Sequence, residues 1–193
     1  YGNDVPTQQF RSANTLPRDL ALFMGEDGEA YVSCVPSPEV ETLRGAVSAH
    51  EGTTVGAEAV AYNLPEGGVC EIVLDYNLKG CTAMDIELRN DADERVVMTF
   101  DVAKREFAMN RAKSGIVKFS RHFPVTTIAP THNSRMSGTL RLFIDRCSVE
   151  AFDGEGRFAM TNLVFPTKPY TNVAVRAQGG KAKVNGVKIY PLK

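Results

Sequence analysis

Asp145 and Glu150 stand close together in L-R-L-F-I-D-R-C-S-V-E-A-F. Two neighbouring carboxylates are the raw material of acid–base catalysis, provided that unlike surroundings drive their pKa values apart. A structural role competes with that reading. Asp145 suits a tight turn, because a short carboxylate accepts backbone N–H bonds two residues on. Glu150 would then point outward from a strand and bond a basic neighbour, and Arg111 is a candidate partner for one of the two acids. The turn role is the stronger reading, since turn aspartates of this kind are common. The cysteines, Cys34, Cys70, Cys81 and Cys147, form no C-x-x-C pair and stand at no zinc-ligand spacing to His50, His122 or His132. Each lies in or beside a predicted strand, which favours small buried hydrophobes over disulfides or a metal site. No metal and no cofactor is expected.

The acids lie in a stretch that organises the chain, Gly138 to Pro166. Leu140, Leu142 and Ile144 alternate with Arg141, Phe143 and Asp145, the period of a half-buried strand. The run breaks at Asp145-Arg146-Cys147-Ser148, restarts over Val149 to Phe152, turns at Asp153-Gly154-Glu155-Gly156 and returns over Arg157 to Val164. Pro166 ends it, because proline cannot donate to a ladder. The prediction is a three-stranded antiparallel meander, with a bulged single strand across 145–148 as the alternative.

The rest of the chain carries more of the same signal. Asp19 to Val35 reads as a hairpin turning at Glu26-Asp27-Gly28. Ser37-Pro38-Glu39 resembles a helix start that Gly45 stops within about two turns. Ala57 to Leu64 alternates weakly. Cys70 to Leu78 alternates clearly, as do Met84 to Leu88 and Val96 to Phe100, and Glu106 to Met109 adds a short strand. Gly115 to Ser137 is the longest stretch without clear alternation, and long irregular segments in compact domains are usually functional or mobile. Thr171 to Gln178 and Lys183 to Tyr190 close the chain, with a kink or bulge at Asn185-Gly186. Short strands at such spacing predict an all-β sandwich or barrel.

Composition bounds the function. The chain has 193 residues, 43% hydrophobic and 23% charged, with a formal net charge of −1. That suits one globular domain and gives no electrostatic reason to expect nucleic acid or an anionic membrane as partner. No apolar run approaches the ~18 residues that a membrane span needs.

Three collinear segments carry a resemblance. L-R-L-F-I-D-R-C-S-V-E-A-F with N-L-V-F-P is similar to the signature of the C-terminal β-sandwich of glycoside hydrolase family 32, the invertases, inulinases and levanases. Y-G-N-D-V-P-T-Q-Q-F-R-S-A-N-T-L-P-R-D-L resembles the family's passage from its catalytic propeller into that sandwich. N-R-A-K-S-G, Asn110 to Gly115, resembles its D-R-x-x-S-G segment with Asn in place of Asp. The resemblance implies a two-sheet antiparallel β-sandwich of the lectin- or glucanase-like, concanavalin A-like jelly-roll type. It also implies a linker over residues 1–18, a sandwich over 19–193, and a five-bladed catalytic propeller upstream as partner. The chain begins inside a motif and so reads as a fragment; a signal peptide is not visible, which says nothing of the parent. The parent's compartment stays open, with a secreted or periplasmic enzyme expected and a cytoplasmic one not set aside.

The family's catalytic acids sit on the propeller in W-M-N-D-P-N-G, E-C and R-D-P contexts, none of which occurs here. Asn3-Asp4-Val5-Pro6 echoes the first only superficially. Two carboxylates about 5 Å apart are what retaining glycoside hydrolysis needs, and no catalytic residue is assigned to this chain, which is expected to be inactive alone. Phe10, Arg11 and Arg18 are candidate contacts with the propeller, because interfaces favour aromatic and arginine anchors; packing on the sandwich itself is the alternative. A lectin-like sandwich could instead bind fructo-oligosaccharide on exposed rings. The chain has no Trp, which leaves Tyr62, Phe119, Phe123 and Tyr170 as candidates, against ordinary core or rim packing. A third role is purely structural, bracing the propeller or joining two subunits as a homodimer.

Overall fold

The computed structural model describes residues 2–11 and 13–193; Tyr1 and Ser12, both within the segment read as linker, lie outside the described residues. Alternation becomes strand wherever one face can be buried. Strand β5, Cys70–Asn77, turns Cys70, Ile72, Leu74 and Tyr76 into the core. The expected meander forms as β10 (Ser137–Ile144), β11 (Ser148–Asp153) and β12 (Ala159–Leu163). Its first turn is a hairpin and not a bulge: Asp145 N–H donates to the Ser148 carbonyl at 2.9 Å, and the Asp145 carboxylate accepts from Arg146 N–H at 2.7 Å.

Two six-stranded antiparallel sheets make the expected sandwich. The first has the order β12-β11-β10-β5-β14-β3, with β3 at Ser48–Val55 and β14 at Ala182–Pro191. The second has the order β4-β13-β6-β7-β8-β9. Its members are β4 (Val60–Asn63), β6 (Ala83–Arg89), β7 (Arg95–Asp101), β8 (Glu106–Lys113), β9 (Thr126–Pro130) and β13 (Asn172–Gln178). Between the sheets lie Ile72, Leu74, Ile86, Leu88, Met98 and Leu140, all fully buried. An aromatic file, Tyr76, Phe100, Phe107 and Phe158, runs through one end with ring centroids 4.6–4.9 Å apart. The register of β14 on β5 shifts between Val184 and Gly186, the predicted bulge.

Three expectations need correction. Strand β3 was not foreseen, and β9 lies inside the stretch expected to be irregular. Each is the outer strand of its sheet with most side chains exposed, so neither carries the apolar alternation of a half-buried strand. The predicted helix is a six-residue 3₁₀ turn, Pro38–Leu43; the Ser37 hydroxyl makes no cap and donates instead to Asp19 Oδ1 at 2.5 Å.

The N-terminal part of the chain adds a partial third layer over the outer face of the first sheet. Strands β1 (Arg18–Met24) and β2 (Ala30–Pro36) form a separate two-stranded ribbon, the predicted hairpin. Leu16, Cys34 and Val40 pack on Phe143 and Phe152 there. Glu71 is buried on the same face, held by Arg44 at 2.6 Å and Arg141 at 2.7 Å. Gly156 sits where the ribbon comes closest. It has φ +75°, its carbonyl accepts from Cys34 N–H at 2.9 Å, and a Cβ there would lie 2.8 Å from that nitrogen. Only glycine meets both demands without strain.

Candidate functional site

Glu150 on β11 faces Thr161 on β12 across the ladder. The segment before β1 lies over this pair like a strap. Leu16 N–H donates to Glu150 Oε1 at 2.9 Å, Arg18 Nη2 donates to Glu150 Oε2 at 2.7 Å, and the Thr161 hydroxyl donates to the same oxygen at 2.8 Å. The Arg18 guanidinium also lies 5.0 Å from the Phe152 ring centroid. Glu150 therefore bonds a basic neighbour, as expected, and that neighbour is Arg18. Arg111 donates to the Leu163 carbonyl at 3.1 Å and lies over the Phe123 ring at 4.2 Å.

Between strap and sheet lies an open, largely apolar cleft of about 390 Å³, lined by Phe10, Leu16, Phe143, Cys147, Leu163 and Leu192 among others. Phe10 is at its mouth, 48% exposed. Arg11 bonds the Asn3 and Val5 carbonyls of its own segment. Val5 is buried against Phe123 and Phe165, which seats the start of the strap. Of the three candidate propeller contacts, then, Arg18 and Arg11 hold the strap in place, and Phe10 alone offers an apolar surface outward.

The candidate sugar platforms fare differently. Tyr62 is buried beside His50, Phe123 is fully buried, and the buried Tyr170 hydroxyl donates to the Ser114 carbonyl at 2.9 Å. Burial pushes the Tyr62 and Tyr170 phenols up. Phe119 is half-buried and lies 4.5 Å from Phe123, centroid to centroid. The exposure that a stacked sugar ring requires is absent at Tyr62, Phe123 and Tyr170, because each ring fills a gap in an apolar cluster.

The buried carboxylates among the described residues are Glu71, Asp85, Glu87, Glu150 and Asp153. All are bonded within the fold. Glu71 holds Arg44 and Arg141; Asp85 accepts from Arg176, Gln178 and Thr99; Glu87 accepts from Arg89. Asp153 accepts from Glu155 and Arg157 N–H, and burial nevertheless raises its pKa. Asp145 is exposed at its turn. No group of three or more His, Cys, Asp or Glu among the described residues could hold a metal ion. The four cysteines are free; burial pushes the Cys70 thiol up to about 12 and raises Cys81 and Cys147, which disfavours the reactive thiolate at those three.

A sequence profile described as "Glycosyl hydrolases family 32 C terminal" matches residues 39–191. The chain belongs to that family. It is 28% identical to a levanase of Bacillus subtilis (strain 168), covering 100% of this chain and 29% of the levanase. It is 27% identical to an extracellular exo-inulinase of Aspergillus awamori, covering 100% of this chain and 36% of the inulinase. The crystal structure of exo-inulinase from A. awamori superposes with a TM-score of 0.85 at 25% identity, over 100% of this chain and 38% of that one. A fructofuranosidase from Schwanniomyces occidentalis shares the fold at a TM-score of 0.79 and 16% identity. The family 32 sandwich described here thus spans about a third of the length of these relatives.

Neither the strap anchor nor the ribbon's surface was read from the sequence. The anchor joins residues 132 positions apart. The ribbon's surface did leave a trace, the period-two run Leu20, Leu22, Met24, although such alternation ordinarily marks a buried face.

Proposed function

We propose that the chain is the accessory sandwich of a fructan- or sucrose-cleaving glycosidase, that it supports a catalytic propeller of the same polypeptide, and that it hydrolyses nothing alone. The observation that carries this reading is the engagement of every described buried carboxylate in a structural bond. A glycosidase needs two acids free to meet one sugar bond, so the chemistry belongs to the part of the polypeptide that the relatives possess beyond this third. Their names, levanase and exo-inulinase, indicate fructan as the parent's substrate class.

In this reading residues 1–18 form the passage from propeller to sandwich and 19–193 form the supporting domain. Arg11 and Arg18 fix the path of that passage, and Phe10 meets the propeller. Fructan meets the propeller and not the sandwich, whose candidate rings are mostly buried. The test uses sucrose, inulin and levan with the 193-residue chain and with its longer parent. The parent should release fructose and the chain should match a buffer blank. Release by the chain alone, or none by the parent, would overturn the proposal.

A further inference from the structure

A cavity of about 230 Å³ opens at one end of the sandwich, between the 101–105 turn that joins β7 to β8 and the 131–136 loop that joins β9 to β10. Its floor is apolar. Tyr76 and Phe100, both buried, lie 4.6 Å apart there, centroid to centroid. Its rim is polar and includes Asp101, Arg105, Thr131 and Asn133. The proposed function makes no use of any of these groups.

The rim holds its shape against strain. Among the described residues, four other than glycine have a left-handed backbone, and three of them belong here: Arg105 (φ +53°), His132 (φ +46°) and Met136 (φ +57°). A Cβ disfavours that conformation, and strained positions of this kind gather where a fold shapes a ligand site. Asn133 braces the loop, accepting from Arg135 N–H at 3.0 Å and donating to the Ser137 carbonyl at 3.1 Å. The ribbon tip braces the opposite side, where Arg105 donates to Glu26 at 3.2 Å.

The lining says what would fit. Its charges are paired, Asp101 with Lys104 at 3.3 Å and Arg105 with Glu26, so the cavity suits a neutral molecule and not an ion. Bonding capacity is nevertheless left over. Asp101 accepts from Lys104 N–H at 3.0 Å, and a carboxylate has further lone pairs to offer. Arg105 commits Nη1 to Glu26, and a guanidinium has further N–H donors. The Thr131 hydroxyl donates to the Arg105 carbonyl at 3.2 Å and can still accept. A ligand with hydroxyls along its edge and C–H groups on its face matches a polar rim above an aromatic floor, and a sugar ring is such a ligand. The cavity is smaller than the ~300–1,000 Å³ of drug-sized sites, so one ring enters and a chain does not. We propose that it binds a single monosaccharide, a hexose in ring form, which leaves the fructan chain to the propeller.

Proton–nitrogen NMR titration of the 193-residue chain with fructose, glucose, glycerol and inulin tests this. At least one hexose should saturate with a Kd on the order of 1 mM, as suits a ligand of so few atoms, with its largest shifts in the amides of 101–105 and 131–136. Ser134→Trp fills the mouth from an exposed position, and Asp101→Asn puts an amide donor in place of one acceptor oxygen without changing the shape. Each should weaken binding by about tenfold or more, while amides far from the cavity keep the shifts of the folded chain. No saturation by either hexose, hexose binding that both variants leave unchanged, or glycerol binding as tight as the hexose, would overturn the proposal. Inulin binding as tight as the hexose would make the site a reader of chain ends and overturn it too. Fructose release by the parent is a separate readout, so this proposal and the proposed function can fail independently.

Discussion

Replacing Glu150 by alanine should detach the strap. The substitution removes the acceptor of three bonds, from Leu16 N–H, the Arg18 guanidinium and the Thr161 hydroxyl. Hydrogen bonds to a charged group contribute about 1.5–3 kcal/mol each, but the losses do not add, since all three share one carboxylate. Breaking a buried ion pair from one side costs about 3–5 kcal/mol when the remaining charge is stranded. Arg18 keeps 24% of its side-chain surface in water, so it can rehydrate and the cost falls toward the lower end, about 3 kcal/mol. For a domain of this size each kcal/mol moves the midpoint by about 2–4 °C, hence a drop of about 6–12 °C. Urea unfolding of Glu150→Ala, Arg18→Met and the double variant gives the coupling directly. A coupling above about 1 kcal/mol is expected, well beyond the range of most exposed pairs. Asp145→Asn, at the exposed turn, serves as control and should change stability by less than about 0.5 kcal/mol. If Glu150→Ala cost no more than that control, the strap would not be anchored as described.

Two further perturbations probe the same layer. Gly156→Ala should destabilise by about 2 kcal/mol or more by urea unfolding, because alanine at φ +75° is strained and its Cβ meets the ribbon backbone at 2.8 Å; an unchanged midpoint would contradict the close approach. Asp153 gives a pH signature. Burial raises its carboxyl above the ordinary 3.8, so between that value and the raised one the folded state holds more protons than the unfolded chain. Stability then falls as pH rises through that window and levels off above it. Asp153→Asn should abolish this contribution, so the stability of the parent residue relative to the variant should decline from pH 4 to pH 7. A relative stability that is flat or rises with pH would refute the buried-acid account.

How much of this was readable beforehand depended on where each residue's partner lay. Cys70, Ile72, Leu74 and Tyr76 announced an inward face because the sheet buries alternate residues of one strand, a local rule. The Asp145 hairpin and the Asn185-Gly186 bulge were equally local. Strands β3 and β9 were missed because outer strands with little buried surface carry no such pattern. The partner of Glu150 was not legible for another reason: Arg18 reaches it only after the strap has folded back over the sheet, and no spacing in the sequence encodes that. Tyr62, Phe123 and Tyr170 show the same limit from the other side, since a ring's identity does not say which way it turns. Leu20, Leu22 and Met24 invert the usual rule, alternating toward water.

The most direct measurement is fructose release from sucrose, inulin and levan by the purified 193-residue chain beside its longer parent. The account expects turnover by the parent and a chain indistinguishable from buffer at any pH. Turnover by the chain alone, abolished by replacing one of its own carboxylates, would place catalysis in the sandwich and contradict the account.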